Sequence, residues 1–274
     1  MRGRVLIVAG SDSGGGAGIQ ADIKTVTMLD GYAATAVTAL TAQNTQGVFG
    51  VVPVPPPFIA QQTRLVIDDI GADAIKTGML HSVEVIETVA QVCAESARDV
   101  PLVVDPVMVA KGGHKLIDDD AIGALKRAMI ARAHVITPNL PEAEVLLGRP
   151  VRTLADMLSA GPDLLAMGCK AALLKGGHLE SDTVTDLLIA AGGVERFESP
   201  RIATRHTHGT GCTLASAIAA SLAQGMALPA AVRRAREYVR RAIASAPGYG
   251  AGHGPLDHAH PLRAGMPAVG AAER

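Results

Sequence analysis

The sequence predicts an α/β fold with a mainly parallel central sheet flanked by helices. Short aliphatic runs bounded by Gly, Pro or Asp predict strands buried on both faces, at residues 5–8, 34–40, 74–76, 102–104, 135–137 and 171–175. Between these runs lie amphipathic stretches, such as the one with Ile19, Ile23 and Val26 at i, i+4 and i+7, and this spacing predicts helices. Alternating strands and helices are typical of crossover units, whose ligands bind at the carboxyl ends of the strands.

The remaining elements follow from local signals. Ser82 is a candidate N-cap for a helix that carries Val85, Val89 and Val92. Two strand-like runs at residues 183–190 and 194–198, joined by Gly192-Gly193, predict an antiparallel hairpin at one edge of the sheet. A helix over residues 154–167 should kink or break at Gly161-Pro162, because an interior Pro removes a backbone hydrogen bond. Prolines clustered over residues 53–57 predict a stiff loop.

Composition indicates a globular protein and excludes several function classes. The chain has 274 residues, 48% hydrophobic and 19% charged, with a formal net charge of −1, so it can bury a sizeable core. Without a basic surplus, and with 2% aromatic residues and no Trp, it lacks the features that bind nucleic acid. We expect one domain over residues 1–262 and a flexible tail over residues 263–274, rich in Ala and Gly.

Cysteine usage and hydropathy predict a cytoplasmic protein. The longest apolar run near the amino end, residues 5–9, is shorter than a signal-peptide core or a membrane span. The cysteines are odd in number, Cys93, Cys169 and Cys212, and form no C-x-x-C pair, which fits a reducing compartment without disulfides or zinc.

A glycine-rich loop, GSDSGGGAG at residues 10–18, follows the first predicted strand and lets the backbone approach a ligand closely. Residues 16–21 also satisfy the loose G-x-G-x-x-A pattern of dinucleotide-binding oxidoreductases. That pattern needs an acid at the end of the second strand, where this chain has TAQN at residues 41–44. A Walker loop is missing too, because Ile75 stands where that pattern requires Gly.

A second glycine-rich motif, GTGCT at residues 209–213, directly precedes an apolar helix over residues 214–222. Free N–H groups at a helix start form an anion site, and a thiol placed there is expected to have a lowered pKa and to act as a base. An ordinary glycine-rich cap with an inert buried Cys is the alternative on local grounds.

Several motifs in one register resemble the hydroxymethylpyrimidine/phosphomethylpyrimidine kinases of thiamine biosynthesis, in the ribokinase-like family. They are AGSDSGGGAGIQAD at residues 9–22, TALTAQNT at 38–45, TPNLPEAE at 137–144, KGGH at 175–178 and HGTGCT at 208–213. The resemblance implies a three-layer α/β sandwich that binds ATP without a Walker loop. The usual ribokinase-like motif has Asp where this chain has Cys212, and Cys there is similar to the pyrimidine kinases and to some pyridoxal kinases.

Roles in phosphoryl transfer are implied by this resemblance. Cys212 takes the proton of the acceptor hydroxyl, and the amides of Gly209, Thr210 and Gly211 hold the transferring phosphoryl group. Lys175 ends a strand and points a cation towards the phosphates.

The same resemblance implies a magnesium and phosphate motif at Asn139-x-x-Glu142. Asp105, which follows the predicted strand 102–104, is expected to contact this metal indirectly. Local signals also permit a helix cap at Asn139 with Glu142 as a first-turn acid. For Asp105 the alternative is a turn acid before Pro106, and for Lys175 a solvated strand end.

Pyrimidine recognition is assigned by the resemblance to Gln43 and the backbone of Gly10 and Ala17, with Asp22 and Met79 nearby. The amide of Gln43 offers donors and an acceptor that match an exocyclic amine and its adjacent ring nitrogen. Met79 could equally be core packing.

The resemblance therefore predicts an ATP- and Mg²⁺-dependent kinase, commonly a homodimer, which phosphorylates 4-amino-5-hydroxymethyl-2-methylpyrimidine and then its monophosphate. The alternatives are a pyridoxal kinase on the same scaffold and a non-catalytic pyrimidine-binding module. Metal binding at His206-x-His208 or His258-x-His260 is not expected, and His206 stands where family members commonly have Asn.

Overall fold

The computed structural model describes residues 2–108, 116–117 and 119–263. In this part of the chain one sheet contains nine strands, namely β1 (Arg4–Asp12), β2 (Tyr32–Gln43), β3 (Val48–Pro53), β4 (Ala74–Thr77), β5 (Leu102–Val104), β6 (Val135–Ile136), β7 (Ala171–Lys175), β8 (Thr183–Ala190) and β9 (Gly193–Pro200). Their order is β3-β2-β1-β4-β5-β6-β7-β8-β9. The six central strands, β2, β1, β4, β5, β6 and β7, pair in parallel. Strand β3 at one edge and strands β8 and β9 at the other are antiparallel to their neighbours.

The helices fill the connections between the strands. They are α1 (Gly18–Met28), α2 (Pro56–Asp69), α3 (Val83–Ser96), α4 (Asp119–Ala124), α5 (Leu140–Leu147), α6 (Leu154–Leu165), α7 (Thr210–Ala223), α8 (Leu228–Ala244) and α9 (His260–Arg263). After α4 the chain continues through a π-helical turn, Leu125–Met129, and a 3-10 turn, Ile130–Arg132. None of the helices among the described residues is long and apolar enough to span a membrane.

Two hydrophobic cores lie on opposite faces of the sheet. Along β1, Leu6 and Val8 face the core that α2, α3, α5 and α6 cover, and Val5 and Ile7 face the core under α1, α7 and α8. Every one of these side chains is essentially fully buried, as expected of a strand covered on both faces. The predicted α/β fold with helices on both sides of a mainly parallel sheet is therefore confirmed.

Each predicted strand is present, and the predicted edge hairpin is β8 and β9. Ser82 caps α3 by accepting a hydrogen bond from the N–H of Val85 at 3.3 Å. The glycine-rich loop begins later than predicted, because the chain from Gly10 to Asp12 still belongs to β1.

Two local details differ from the sequence prediction. Strand β3 was not predicted; the proline cluster ends it at Pro53 and supplies the first turn of α2, where Pro needs no N–H. Helix α6 does not break at Pro162 but continues to Leu165. The carbonyl that Pro162 leaves unpaired belongs to Leu158, a half-exposed residue. The predicted tail, apart from its first residue, lies outside the described residues.

Candidate active site

A cleft of about 1570 Å³ lies at the carboxyl edge of the parallel strands. Its walls come from the ends of β1, β2, β4, β5 and β7 and from the first turn of α7. Every predicted site residue except Asp22 lines it: Gly10, Ala17, Gln43, Met79, Asp105, Asn139, Glu142, Lys175, Gly209, Thr210, Gly211 and Cys212. Residues far apart in the chain converge here because the carboxyl ends of parallel strands meet at one edge.

The start of α7 forms one wall of the cleft. Its N-cap, Gly209, has φ 81°, and a Cβ built there would lie 1.8 Å from the carbonyl oxygen of Gly16, so only Gly fits. Thr210 holds the turn by donating its hydroxyl to the carbonyl of Thr207 at 2.7 Å. Gly211 and Cys212 follow within the first turn, whose N–H groups have no acceptor inside the helix. This geometry suits an anion.

The thiol of Cys212 differs from the sequence prediction. A position at a helix start was expected to lower its pKa. Instead, burial raises the pKa of Cys212 to about 12, with Asp22 and Asp105 adding to the rise and Lys76 and the Gly18 N–H opposing it. The prediction of a lowered pKa is wrong, because desolvation outweighs the effect of the helix terminus.

A cation and two carboxylates form the adjacent wall. Lys175 Nζ lies 3.2 Å from Asp105 Oδ1 and 3.9 Å from Glu142 Oε2, and Thr137 donates its hydroxyl to Asp105 Oδ1 at 2.8 Å. Burial alone would lower the pKa of Lys175, but the two carboxylates outweigh it and raise that pKa. Burial and the charge of Asp105 raise the pKa of Glu142, against the opposing effect of Lys175. The cluster presents carboxylate oxygens and one ammonium group to a single part of the cleft.

Asn139 and Glu142 also form a complete capping box at the start of α5. Asn139 Oδ1 accepts from the N–H of Glu142 at 2.9 Å, and Glu142 Oε2 accepts from the N–H of Asn139 at 2.8 Å. The helix-cap interpretation is therefore correct as local structure. It does not remove these residues from the cleft, since both of them line it.

The glycine-rich loop and the end of β2 form a further wall, which adjoins the start of α7 where Gly209 approaches Gly16. Met79 lies beside Gly10, where its Cε would make an ordinary van der Waals contact of 3.5 Å with a Cβ. Met79 is held from behind, because its carbonyl accepts the Thr38 hydroxyl at 2.7 Å. Ser13 joins the loop to β2 by donating to the carbonyl of Gln43 and accepting from its N–H. The backbone of this wall is thus tied at several points.

Asp12 and His208 are cleft residues that the sequence prediction did not assign. Asp12 is almost fully buried and accepts hydrogen bonds from the N–H groups of Gly14, Gly16 and Ala17 at 2.7–3.1 Å. His208 Nε2 lies 2.8 Å from Asp12 Oδ2. An acid inside a run of glycines was the available signal, because such a carboxylate gathers the N–H groups of a tight loop.

Asp22 was predicted near the substrate, and the structure contradicts direct contact. Its carboxylate is fully buried behind the cleft, where Lys76 Nζ donates to both oxygens at 2.8 and 2.9 Å and Ser216 donates its hydroxyl at 2.7 Å. Lys76, not Asp22, reaches the cleft wall. The reason is the position of Asp22 on the inner face of α1, towards α7 and the sheet.

The phosphomethylpyrimidine kinase family matches residues 12–257 of this chain. The chain belongs to this family. It is 46% identical over 256 residues to the hydroxymethylpyrimidine/phosphomethylpyrimidine kinase of Bacillus subtilis, covering 93% of this chain and 94% of the relative. It is also 52% identical over 257 residues to the thiamine biosynthesis bifunctional protein ThiED of Geobacter sulfurreducens. The match covers 94% of this chain and 52% of the bifunctional protein, about half of its length.

Solved structures agree with this phosphomethylpyrimidine kinase assignment at the level of fold. An ADP complex of Bacillus subtilis pyridoxal kinase superposes with a TM-score of 0.88 at 36% identity, covering 96% of this chain and 99% of that one. The predicted ribokinase-like sandwich therefore has a close structural counterpart.

Two further histidines of this phosphomethylpyrimidine kinase family member, His258 and His206, pack against neighbouring residues. His258 Nε2 lies 3.0 Å from the Thr213 hydroxyl, next to Cys212 in the chain, and burial lowers the pKa of His258 to about 4. His206 packs against Gly254, leaving no room for a Cβ there. Within the described ranges, no group of three or more His, Cys, Asp or Glu side chains has the arrangement of a metal site.

Proposed function

We propose that this chain transfers the γ-phosphoryl group of ATP to the hydroxymethyl group of 4-amino-5-hydroxymethyl-2-methylpyrimidine, and then to the resulting monophosphate. One observation carries the proposal: the start of α7, with Cys212, and the wall formed by Gly10, Ala17 and Gln43 line a single cleft that Lys175 also lines. An acceptor held on that wall would lie next to both the thiol and the anion site.

Each wall has a distinct task in this reaction. The N–H groups at Gly211 and Cys212 neutralise negative charge on the transferring group, and Lys175 adds a positive charge. Cys212 in its thiolate form, which Lys76 and the N–H of Gly18 favour, receives the proton of the acceptor hydroxyl. The intact thiol, Lys175 and Glu142 distinguish this site from a module that only binds pyrimidines. The test supplies the aminopyrimidine alcohol and ATP and measures ADP release. If no turnover is seen across the whole range from pH 6 to pH 9, the proposal is contradicted.

Magnesium fits the acidic part of the cleft. Asp105 and Glu142 supply carboxylate oxygens, and Asn139 an amide oxygen, which are ligand types that a hard cation prefers. Magnesium bound there would offset the charge of the nucleotide phosphates.

Replacing Glu142 by Gln should raise the magnesium concentration that gives half-maximal rate, because a neutral amide is a poorer ligand for a hard cation. The affinity for the pyrimidine, measured by calorimetry, should not change. Glu144→Gln is the control, since Glu144 lies on the same helix and bonds Val151 and Arg152 instead. If Glu142→Gln and Glu144→Gln need the same magnesium concentration for half-maximal rate, Glu142 only caps α5 and does not bind the metal.

Replacing Gln43 by Leu should weaken binding of the aminopyrimidine by roughly 1–3 kcal/mol, because an amine and a ring nitrogen would be buried without partners. The affinity for ATP should hardly change. Calorimetric titration of each ligand separately checks this expectation. An equal loss for both ligands would mean that Gln43 supports the fold and does not read the base.

Pyridoxal phosphorylation is the second candidate activity. The observation that favours it is the similarity in fold to pyridoxal kinases together with Cys212 at the start of α7. Kinetics with pyridoxal as the sole acceptor test it, and a kcat/KM above that for the aminopyrimidine alcohol would favour this candidate.

A cytoplasmic homodimer is proposed as the working form. Leu40 on β2 and Val52 on the edge strand β3 are paired directly in register, and both side chains are more than half exposed. A second copy covering this face would bury them. Val52→Glu should therefore lower the fraction of dimer in analytical ultracentrifugation. If the sedimentation coefficient does not change, the face with Leu40 and Val52 is not a dimer interface.

A further inference from the structure

Gln43 is held at both ends of its side-chain amide by residues of the cleft. One end lies 3.1 Å from His208 Nε2 and the other lies 3.3 Å from the Thr41 hydroxyl. With the nitrogen towards His208 and the oxygen towards Thr41, both contacts have hydrogen-bonding distances, and so do they with the amide turned over. The two ends of an amide have almost the same shape, so the donors and acceptors around them determine which end is which.

On the His208 side of the amide, the group that Gln43 meets is a hydrogen-bond donor. Asp12 Oδ2 lies 2.8 Å from His208 Nε2 and also accepts from the N–H groups of Gly16 and Ala17. Burial opposes the ionised form of Asp12, but the hydrogen bonds from His208 and the backbone outweigh it and keep the pKa of Asp12 below its ordinary value. A carboxylate only accepts hydrogen bonds, so His208 Nε2 carries a proton. A protonated Nε2 has no lone pair that could accept from an NH₂ group, so the amide end beside it must be the oxygen, which shares the Nε2 proton with Asp12.

On the Thr41 side of the amide, the group that Gln43 meets is a hydrogen-bond acceptor. Thr41 has one hydroxyl proton, and it donates that proton to the carbonyl of Ser11 at 2.9 Å. Its oxygen can only accept from Gln43, so the amide end that faces it must be a donor. Both contacts independently require the oxygen of Gln43 on the His208 side and its NH₂ on the Thr41 side.

We infer that Asp12, His208 and Thr41 are specificity-determining positioning residues, which fix the Gln43 amide with its oxygen towards His208 and its NH₂ towards Thr41. The inference rests on the proposed pyrimidine kinase function. The free lone pair and free N–H of Gln43 then face the cleft in a defined order. A ligand must present a donor on the His208 side and an acceptor on the Thr41 side, as an exocyclic amine and its adjacent ring nitrogen do.

The natural probe is the 4-oxo analogue of the aminopyrimidine alcohol, in which an acceptor replaces the amine and a donor replaces the ring nitrogen. In the wild-type protein kcat/KM for the 4-amino alcohol should exceed that for the 4-oxo analogue by a factor on the order of 10² or more. His208→Leu frees the amide to rotate, and this ratio should fall by about tenfold or more. His208→Gln can place an NH₂ group near the same position and should keep most of the ratio.

One control variant and one further test variant separate this effect from a general loss of activity. His134→Leu makes the same chemical change beside the amino end of β6, at the opposite edge of the sheet, and should leave the ratio unchanged. Thr41→Val removes the acceptor on the other side of the amide and should lower the ratio independently of His208. An unchanged ratio in both His208→Leu and Thr41→Val would overturn the inference.

Nuclear magnetic resonance of the wild-type protein tests the polarity without any turnover. Long-range ¹H–¹⁵N correlations of His208 should show a protonated Nε2; an unprotonated Nε2 would overturn the inference even if the kinase is active. If the wild type phosphorylates neither pyrimidine, the proposed function fails, and the substrate part of the inference fails with it. The His208 spectrum then still decides the polarity of Gln43.

Discussion

Replacing Cys212 by Ala is expected to lower kcat for the aminopyrimidine alcohol by about 10²–10⁴-fold, the usual effect of removing a general base. The thiol lies in the first turn of α7 and lines the cleft. Burial favours its protonated form, while Lys76 and the Gly18 N–H favour the thiolate that accepts the proton. The equilibrium affinity for the alcohol, measured by calorimetry, should change little.

The phosphorylation of the monophosphate should respond differently. Its acceptor is a phosphate with a second pKa of about 6, which needs no strong base at neutral pH. Cys212→Ala should therefore harm this step less than the alcohol step, and Lys175→Ala should harm it at least as much. Cys93→Ala, a buried cysteine of α3 outside the cleft, controls for loss of a thiol. Equal losses of kcat/KM on both acceptors in Cys212→Ala would contradict the role as a base for the alcohol.

Replacing Asp22 by Asn should destabilise the protein by about 3–5 kcal/mol, because Lys76 would remain as a buried charge without its counter-ion. Both side chains are fully buried, and Asp22 holds the pKa of the Lys76 ammonium above its ordinary value in spite of desolvation. The melting temperature should fall by roughly 6–20 °C in a calorimetric scan.

An exposed ion pair of the same chain provides the matched control. Arg64 and Glu95 are 2.8 Å apart, with each side chain more than two-fifths exposed. Glu95→Gln should cost less than about 1 kcal/mol. The double variant Asp22→Leu/Lys76→Met should recover part of the loss, because it leaves no unpaired charge. A small effect of Asp22→Asn, comparable with that of Glu95→Gln, would mean that the buried pair is not ionised.

The repeating strands and the cleft residues could be predicted because their signals are local. Aliphatic runs such as residues 102–104 and 171–175 coincide with β5 and β7, since a strand buried on both faces needs an unbroken apolar run. The short strand β3 carries Gly50 and ends in Pro53. It is a strand because it pairs with β2, and this pairing depends on how the chain folds rather than on a local sequence signal.

The electrostatics of the site could not be predicted from spacing. Position alone places Cys212 at a helix start, but its pKa depends on how much water the surrounding walls exclude. Asp22 lies in a motif otherwise rich in cleft residues, yet the turn of α1 directs it towards Lys76, which is 54 positions away in the chain. His208 acquires its role only when the fold brings it to Asp12, a contact across 196 positions.

Product analysis by ³¹P nuclear magnetic resonance tests the proposed function most directly. The wild-type protein is supplied with ATP, magnesium and the aminopyrimidine alcohol, and separately with pyridoxal. We expect the alcohol to give first a monophosphate and then a diphosphate, with one ATP consumed for each phosphoryl group transferred, and pyridoxal to react more slowly. Rapid phosphorylation of pyridoxal without any pyrimidine diphosphate would contradict the proposal.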